Sequence, residues 1–581
     1  MKKSMNVYFI AILVVVLLVG GFRLYRTIKN NEAMSMGTSD THSTMNMGTS
    51  DAHSIMNMGS TDTASYMTMD KNNGMNMGSS DPNATSVTQL VAQKSNAPEK
   101  TFNITAQVAN INLGNGKTIQ AWTFGGTIPG PEIRVKQGDR VIVNLTNKLP
   151  EGVTIHWHGI NVPGAEDGVA GVTQDAIKPG ETYTYNFIAD QPGTYWYHSH
   201  QQSELETARG LFGAIIVEPK EEPVKYDKDY TVVLHEWNVK AGSSDTNFKD
   251  NQKKKISEAP ADINNIAFNN KDSRNNSNKD NFKGSSTNNE LIRALTDVKY
   301  DTLTTNDTTG SLHFDAKPGE LVRLRLVNAG NATHLLTLLD TPFQVVALDG
   351  RDLVGGATID KTLLPIGGGQ RYDISFRMPQ SGSVQLVSAD QATQPNKMVS
   401  VTIGSGEPIG TNSNPNNYKW FDFTTYGTPQ KGIFSTDSTF TKTIEMKLGS
   451  GKGSGGKDWS FQINGKSSPD VPPLVVKKGD TVKINFINND DAIHPMHLHG
   501  HTLQVLTRNG KPLEGSPVYL DTLNVLPHET YEVAFVADNP GIWMIHCHNL
   551  KHAAMGMDMM LNYEGISTPF VVGGTSGNQP E

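Results

Sequence analysis

A single cysteine, Cys547, stands in a chain of 581 residues. No disulfide can close within it, so an exported fold must rest on packing, hydrogen bonds or metals. Charge is scarce as well, with 19% charged side chains and a net charge of -8, which excludes nucleic acid and anionic surfaces as electrostatic partners. Long helical periodicity is missing: no stretch of period 3.6 competes with the short β-branched runs. No apolar run reaches the roughly 20 residues that span a bilayer comfortably. At about 100–200 residues per domain, the length still leaves room for three or four domains.

The longest charge-free run, Val7 to Phe22, follows the positive start at Met1 to Lys3. Its sixteen residues fall between a signal-peptide core and a spanning helix. Residues 1–30 are read as a signal or anchor segment, with an uncleaved anchor favoured. The protein is expected outside the cytoplasm, held at the cell-surface membrane or secreted. Behind the run comes an internal repeat. Met34-Ser-Met36, Met45-Asn-Met47, Met56-Asn-Met58 and Met67-Thr-Met69 recur every eleven residues, and Met75-Asn-Met77 follows; ten of the 21 methionines lie here. The Gly, Ser, Thr, Asp and Asn spacers cannot bury enough apolar surface to order themselves, so residues 31–98 are expected to form a disordered tether. Thioethers are soft ligands that suit Cu(I), and His42 and His53 lie among them.

From Thr101 the chain becomes short β-branched and aromatic runs separated by turns, such as Arg140-Val-Ile-Val-Asn-Leu-Thr146 and Thr481-Val-Lys-Ile-Asn-Phe-Ile487. This predicts an all-β fold. A shared phrase opens three of these runs: Lys136-Gln-Gly-Asp-Arg-Val141, Lys317-Pro-Gly-Glu-Leu-Val322 and Lys478-Gly-Asp-Thr-Val482. Three copies of one β-sandwich follow, over 99–220, 221–410 and 411–570, with a tail at 571–581. The Asn-rich stretch near 240–290 reads as a surface insertion in the second copy.

Four short motifs carry the chemistry: His156-Trp-His158-Gly, Trp196-Tyr-His198-Ser-His200, His494-Pro-Met-His497-Leu-His499-Gly and His546-Cys547-His548-Asn-Leu-Lys-His552-Ala-Ala-Met-Gly-Met557. Each holds a His-x-His pair, and on a strand residues i and i+2 share a face. Eight imidazoles can therefore converge, enough for three copper ions with two or three each. Cys547 must point away from His546 and His548. With His494, His552 and Met557 it offers two imidazoles, a thiolate and a weak thioether, the ligand set of a blue-copper electron-transfer site. His235, His313, His334, His501 and His528 have no such spacing and are read as core or surface residues.

These motifs resemble those of the multicopper oxidases, the laccase-like family of three cupredoxin domains, over about residues 100 to 565. The resemblance implies four copper ions. His494, Cys547, His552 and Met557 match the type 1 ligands, and His156 and His497 the type 2 ligands. His158, His198 and His548 match one type 3 copper, and His200, His499 and His546 the other. Asp167 matches a carboxylate that in relatives assists proton delivery during O2 reduction. The expected reaction is one-electron oxidation of a donor at the type 1 copper coupled to four-electron reduction of O2 to water.

The methionines resemble those of copper-tolerance members that oxidise Cu(I), and Asp490 and Asp491 could hold a cation before His494. Ala553 and Ala554, however, stand where cuprous oxidases of similar pattern often carry carboxylates. Cu(I) and phenols are the expected donors, with a laccase-like phenol, Mn(II) or Fe(II) oxidase as the alternative. A copper-storage protein is the alternative from another class. The expected partners are O2, a small reducing substrate and, through the N-terminal segment, a membrane; the chain is expected to be a monomer.

Overall fold

The computed structural model describes residues 66–70, 74–114, 116–239, 300–306, 308–389, 400–453 and 458–581. The anchor segment, most of the methionine repeats and the Asn-rich insertion lie outside the described residues.

The strands alternate as their sequences demand. In Thr481–Asn488 the residues Val482, Ile484, Phe486 and Asn488 are buried, while Lys483 and Asn485 lie on the other face. Among the described residues, six of the eight sheets form three sequential pairs. The first pair sets Lys117–Phe124, Glu99–Gly114, Arg140–Asn147 and Thr182–Ile188 against Gly130–Lys136, Phe212–Glu218, Gly193–His198 and His156–His158. Their inner faces meet through Ile104, Val143, Leu145 and Phe187 on one side and Ile133, Tyr197 and Ile215 on the other. The second pair runs from Lys228–Trp237 to Lys419–Trp420, and the third from Lys442–Gly451 to Asp558–Tyr563. Lys419–Trp420 lies past the boundary expected at 410, because it pairs in parallel with Thr362–Ile366 of the second pair. Trp196, Phe212, Val233, Trp237 and Val327 form an apolar cluster between the first and second pairs.

The repeated phrase has a structural counterpart. Its acid accepts the backbone N–H three residues back in each copy: Asp139 from Lys136 at 2.9 Å, Glu320 from Lys317 at 2.8 Å and Asp480 from Lys477 at 2.8 Å. The strand after each phrase ends in a buried asparagine. The amides of Asn147, Asn328 and Asn488 each donate to the carbonyl four residues on, those of Glu151, Ala332 and Ala492, and to a carbonyl across the sandwich. Each also accepts a backbone N–H two residues on. The loop that follows each of these strands is thus pinned by one device used three times.

Two expectations are corrected. Residues 66–70 and 74–98 are not a disordered tether: Tyr66–Met69 and Gly74–Ser79 are antiparallel strands, the second of which pairs with Val572–Gly573, and Thr85–Ser86 pairs with Ile566–Ser567. Val87 is wholly buried in the main core. Composition argues only that such a segment cannot build its own core; it can still add strands to a surface already built. Residues 571–581, expected as a tail, run back into the first sheet pair, where Asn578 is buried and takes the N–H of Ala176 at 2.9 Å.

Candidate metal centre

Four strands place the histidines: β1 His156–His158, β2 Gly193–His198, β3 His494–Leu498 and β4 Ile542–Cys547. β1 and β2 are antiparallel with His156 opposite His198, and β3 and β4 with His497 opposite His546. Alternation turns Trp157 into the core against Phe187 and Tyr185, leaving His156 and His158 on the other face. The two halves interlock through stacked rings. His156 lies 3.9 Å from His499 and His158 lies 3.8 Å from His497, centroid to centroid. All eight imidazoles of the His-x-His pairs are buried.

Seven of the eight turn one ring nitrogen outward to an acceptor. The Nδ1 atoms of His156, His198, His200, His497 and His546 face the carbonyls of Asp167, Ser199, Pro580, Asp521 and Cys547 at 2.9–3.2 Å. His499 Nδ1 faces Asp167 Oδ2 at 2.9 Å, and His158 Nε2 faces Asp521 Oδ1 at 3.1 Å. A carbonyl or carboxylate oxygen only accepts, so these nitrogens carry the proton and the opposite ones point inward with a lone pair. His156 Nε2, His158 Nδ1, His198 Nε2, His200 Nε2, His497 Nε2 and both nitrogens of His548 find no hydrogen-bond partner. His499 Nε2 and His546 Nε2 face each other at 3.1 Å. Each orphaned buried polar atom costs about 1–3 kcal/mol, and a metal is the partner that answers so many lone pairs at once. Burial, then the neighbouring imidazoles, holds His158, His198, His200, His497, His499 and His548 far below the usual histidine range; His546 is brought down to about 3. They are neutral, the form that donates to a metal.

Four groups at this cluster have ligand atoms within 4.8 Å of one another: His156, His158 and His198; His156, His497 and His499; His200, His499 and His546; and His158, His497 and Asp521. His548 lies 4.7 Å from His158 and 5.4 Å from His198, ring to ring. Asp167 sits between two of these rings, its Oδ1 3.2 Å from His156 and its Oδ2 2.9 Å from His499. Gly168 lets it come so close: its φ is +76°, and a Cβ there would meet the Ile155 carbonyl at 1.7 Å.

Cys547 points the other way, into a second cluster. His494 Nδ1 and His552 Nδ1 face each other at 3.2 Å, and the Cys547 sulfur lies 3.7 and 3.5 Å from them. The residues Ser203–Ala208 form α1, beside the first site, and the single turn Leu550–Ala554, α2, carries His552. Met557 is buried beside it, its N–H on the His552 carbonyl and its carbonyl on the Cys547 N–H, both at 3.0 Å. Phe461 packs on the His552 ring at 3.7 Å. At the edge of this cluster Asp490 Oδ2 lies 3.7 Å from His494 Nε2. Burial alone would raise that carboxyl, but bonding and attraction to His494 outweigh it and hold the group near 2. His235, His334 and His501 are core residues, bonded to Ala329, Glu236 and Tyr563, while His313 and His528 are exposed.

One set of residues escaped sequence reasoning. Asp521, behind His158 and His497, is gripped by Arg371 at 2.7 and 2.5 Å. Asp349 accepts the N–H groups of Arg371 and Thr522, and burial beside Asp521 pushes its carboxyl up. Arg371 and Asp349 belong to the second sheet pair, which has no histidine motif. The faint signal was the glycine closing the first motif: a Cβ on Gly159 would lie 2.3 Å from Arg371 and 2.5 Å from Asp521.

Three family models described as multicopper oxidase match residues 105–222, 228–407 and 439–565. The chain is similar to the multicopper oxidase MmcO of Mycobacterium tuberculosis, at 30% identity over 80% of this chain and 87% of that protein. It is also similar to a copper resistance protein A homolog of Pseudomonas syringae pv. tomato, at 26% identity over 78% of this chain and 91% of that protein. Among solved structures it resembles a multi-copper oxidase from Pseudomonas thermotolerans, with a TM-score of 0.59 and 26% identity, covering 80% of this chain and all of that one.

Proposed function

The chain belongs to the multicopper oxidase family of copper oxidoreductases that use O2, and from that premise we propose that it oxidises a small donor at the Cys547 cluster and reduces O2 to water at the eight-imidazole cluster. The single observation that carries the reading is the set of inward, unmatched ring nitrogens. His494, Cys547, His552 and Met557 would hold a type 1 copper. His156 and His497 would hold a type 2 copper; His158, His198 and His548 would hold one type 3 copper, and His200, His499 and His546 the other. Copper bound in these places would supply the one-electron redox chemistry.

The chain's own contribution is placement. Cys547 sits between His546 and His548, so one residue's backbone links the two clusters covalently. The peptide planes around it are fixed by the Cys547 N–H to Met557 and the His548 N–H to Pro495. Asp167 orients His156 and His499 and stands ready to hold a proton bound for O2. Asp521, braced by Arg371, fixes the ring of His158 with Nδ1 inward.

The donor read best from these residues is Cu(I), with phenols accepted as well, in the service of copper tolerance. Asp490 beside His494 places a carboxylate where a cation would deliver its electron, and the relative from Pseudomonas syringae is named for copper resistance. Ala553 and Ala554 favour the second reading, a laccase-like oxidase without a copper-tolerance role, since they add no carboxylate after His552. The protein works outside the cytoplasm, membrane-attached through residues 1–30 or secreted, as a monomer. Oxygen uptake by the copper-loaded chain, measured with Cu(I), Fe(II), Mn(II) and a phenol in turn, tests this. The highest kcat/KM with Cu(I) supports copper tolerance, a preference for the phenol supports the second reading, and no oxygen uptake with any donor sinks the oxidase.

A further inference from the structure

We infer that residues 577–581 are a working part of the eight-imidazole centre, with Pro580 and Glu581 as positioning residues for His200 and His546. This rests on the reading of that centre as a copper cluster. Of the seven outward ring nitrogens, His200 Nδ1 is answered by the most distant part of the sequence. It donates to the Pro580 carbonyl at 3.1 Å, 380 positions away, which fixes the ring with Nε2 inward. Glu581 reaches further in. Its Oε1 lies 3.3 Å from His546 Nδ1 and 3.8 Å from His200 Nε2, while its Oε2 accepts from the Ser203 hydroxyl. These are two of the three imidazoles of one ligand group, the third being His499.

The segment is built into its place. Gln201 clasps it at both ends of its amide, donating to the Gly577 carbonyl at 3.0 Å and accepting the Gln579 N–H at 2.9 Å. The Gln202 N–H donates to the Gln579 carbonyl at 2.5 Å and that of Ser203 to Pro580 at 3.4 Å. Gln202 itself holds a left-handed φ of +48°, a conformation that costs a non-glycine residue about 1 kcal/mol or more and persists only where surroundings enforce it. Asn578 anchors the near end through Asp175, at 2.8 Å. A buried carboxylate is costly without donors. Here the Ser203 hydroxyl donates to Oε2 and so pins the end of the segment that carries the Pro580 carbonyl, while Oε1 stands 3.3 Å from the His546 ring, whose Nδ1 proton goes to the Cys547 carbonyl. The loop that follows His200 and the segment 577–581 therefore form a single wall, and the wall sets two of the ligand rings.

The test uses the full copper-loaded chain beside Glu581→Ala, Glu581→Gln and a chain lacking residues 577–581. Copper per chain, the near-ultraviolet band and magnetic silence of the coupled type 3 pair, and KM for O2 against kcat are read on each, with the blue type 1 band as internal reference. Loss of a partner that orients a metal-bound imidazole typically costs about 10–100-fold in metal affinity or activity. A loss in that range is expected for Glu581→Ala and for the shortened chain, expressed as a weakened type 3 signature and a raised KM for O2 with the blue band intact. Glu581→Gln, which keeps an acceptor for the Ser203 hydroxyl, should restore most of it. A shortened chain with full copper, an unchanged type 3 signature and an unchanged KM for O2 would overturn the inference. So would Glu581→Gln as damaged as Glu581→Ala, or a blue band lost in step with the rest. A wild-type chain without any coupled pair would overturn the copper reading and this inference with it, whereas a normal wild type beside a normal shortened chain overturns the inference alone.

Discussion

His158 and Asp521 meet at 3.1 Å across 363 positions of sequence, and Arg371, wholly buried, closes the contact from the second sheet pair. Three sheet pairs thus share one hydrogen-bonded node. Removing one partner of a buried ion pair leaves the other uncompensated and costs about 3–5 kcal/mol. Arg371→Leu should lower the unfolding free energy by that amount in guanidinium titrations and reduce copper retained on dialysis. A loss under about 1 kcal/mol would mean that Asp521 is satisfied without the arginine.

Cys547→Ser removes the only thiolate and leaves all eight imidazoles of the other cluster in place. The blue absorption should vanish and donor turnover fall to background, while copper content drops by the share of the one proposed type 1 site. Persistence of either colour or turnover contradicts the assignment of Cys547.

The strands Tyr66–Met69 and Gly74–Ser79 belong to the globular body, so the methionine repeats are best tested without them. Deletion of residues 31–65 should lower Cu(I) turnover several-fold and spare a small phenol, if soft thioethers gather Cu(I) for the site. Equal rates for both donors, before and after deletion, would remove any role for the repeats.

Glu166, beside Asp167, has its carboxyl pushed up to about 7 by burial, with only the Asn186 N–H at 2.9 Å opposing the shift. The folded chain binds this proton more tightly than the unfolded one, whose value is 4.5. Stability therefore falls as pH rises from 4.5 to about 7 and is level beyond, a loss of about 3 kcal/mol from this group. Glu166→Gln should raise the melting temperature at pH 8 and barely change it at pH 4. An equal gain at both values would falsify the assignment.

The parts of the site legible in sequence were those that local geometry dictates. His-x-His on a strand fixes a shared face for His156 and His158, alternation at the end of its strand sends Cys547 to a different cluster, and His200, His499 and His548 stand just past the ends of theirs. What escaped was whatever depends on docking. Asp521 and Arg371 have no motif because each needs only to arrive at His158 from its own sheet, and many backbones could deliver it. Residues 66–79 look unfoldable because composition measures what a segment can bury alone, whereas these strands borrow Val572 and the carbonyls of Thr568 and Phe570, which take the Asn76 amide. The repeated Lys-x-Gly-acid phrase was read correctly as a recurrence, though its work as a turn clasp, Asp139 on Lys136 and Asp480 on Lys477, emerges only with the backbone in place.

The stacked pairs His156 with His499 and His158 with His497 bear on how the molecule matures. The eight imidazoles come four from the first sheet pair and four from the third, and no stretch of chain shorter than about two thirds of the sequence contains both sets. A nascent chain can offer a metal at most half of this centre until nearly everything has been synthesised and docked. Metal uptake at this centre is then a proofreading step, which reports on completed tertiary structure and discriminates against chains stalled part-way.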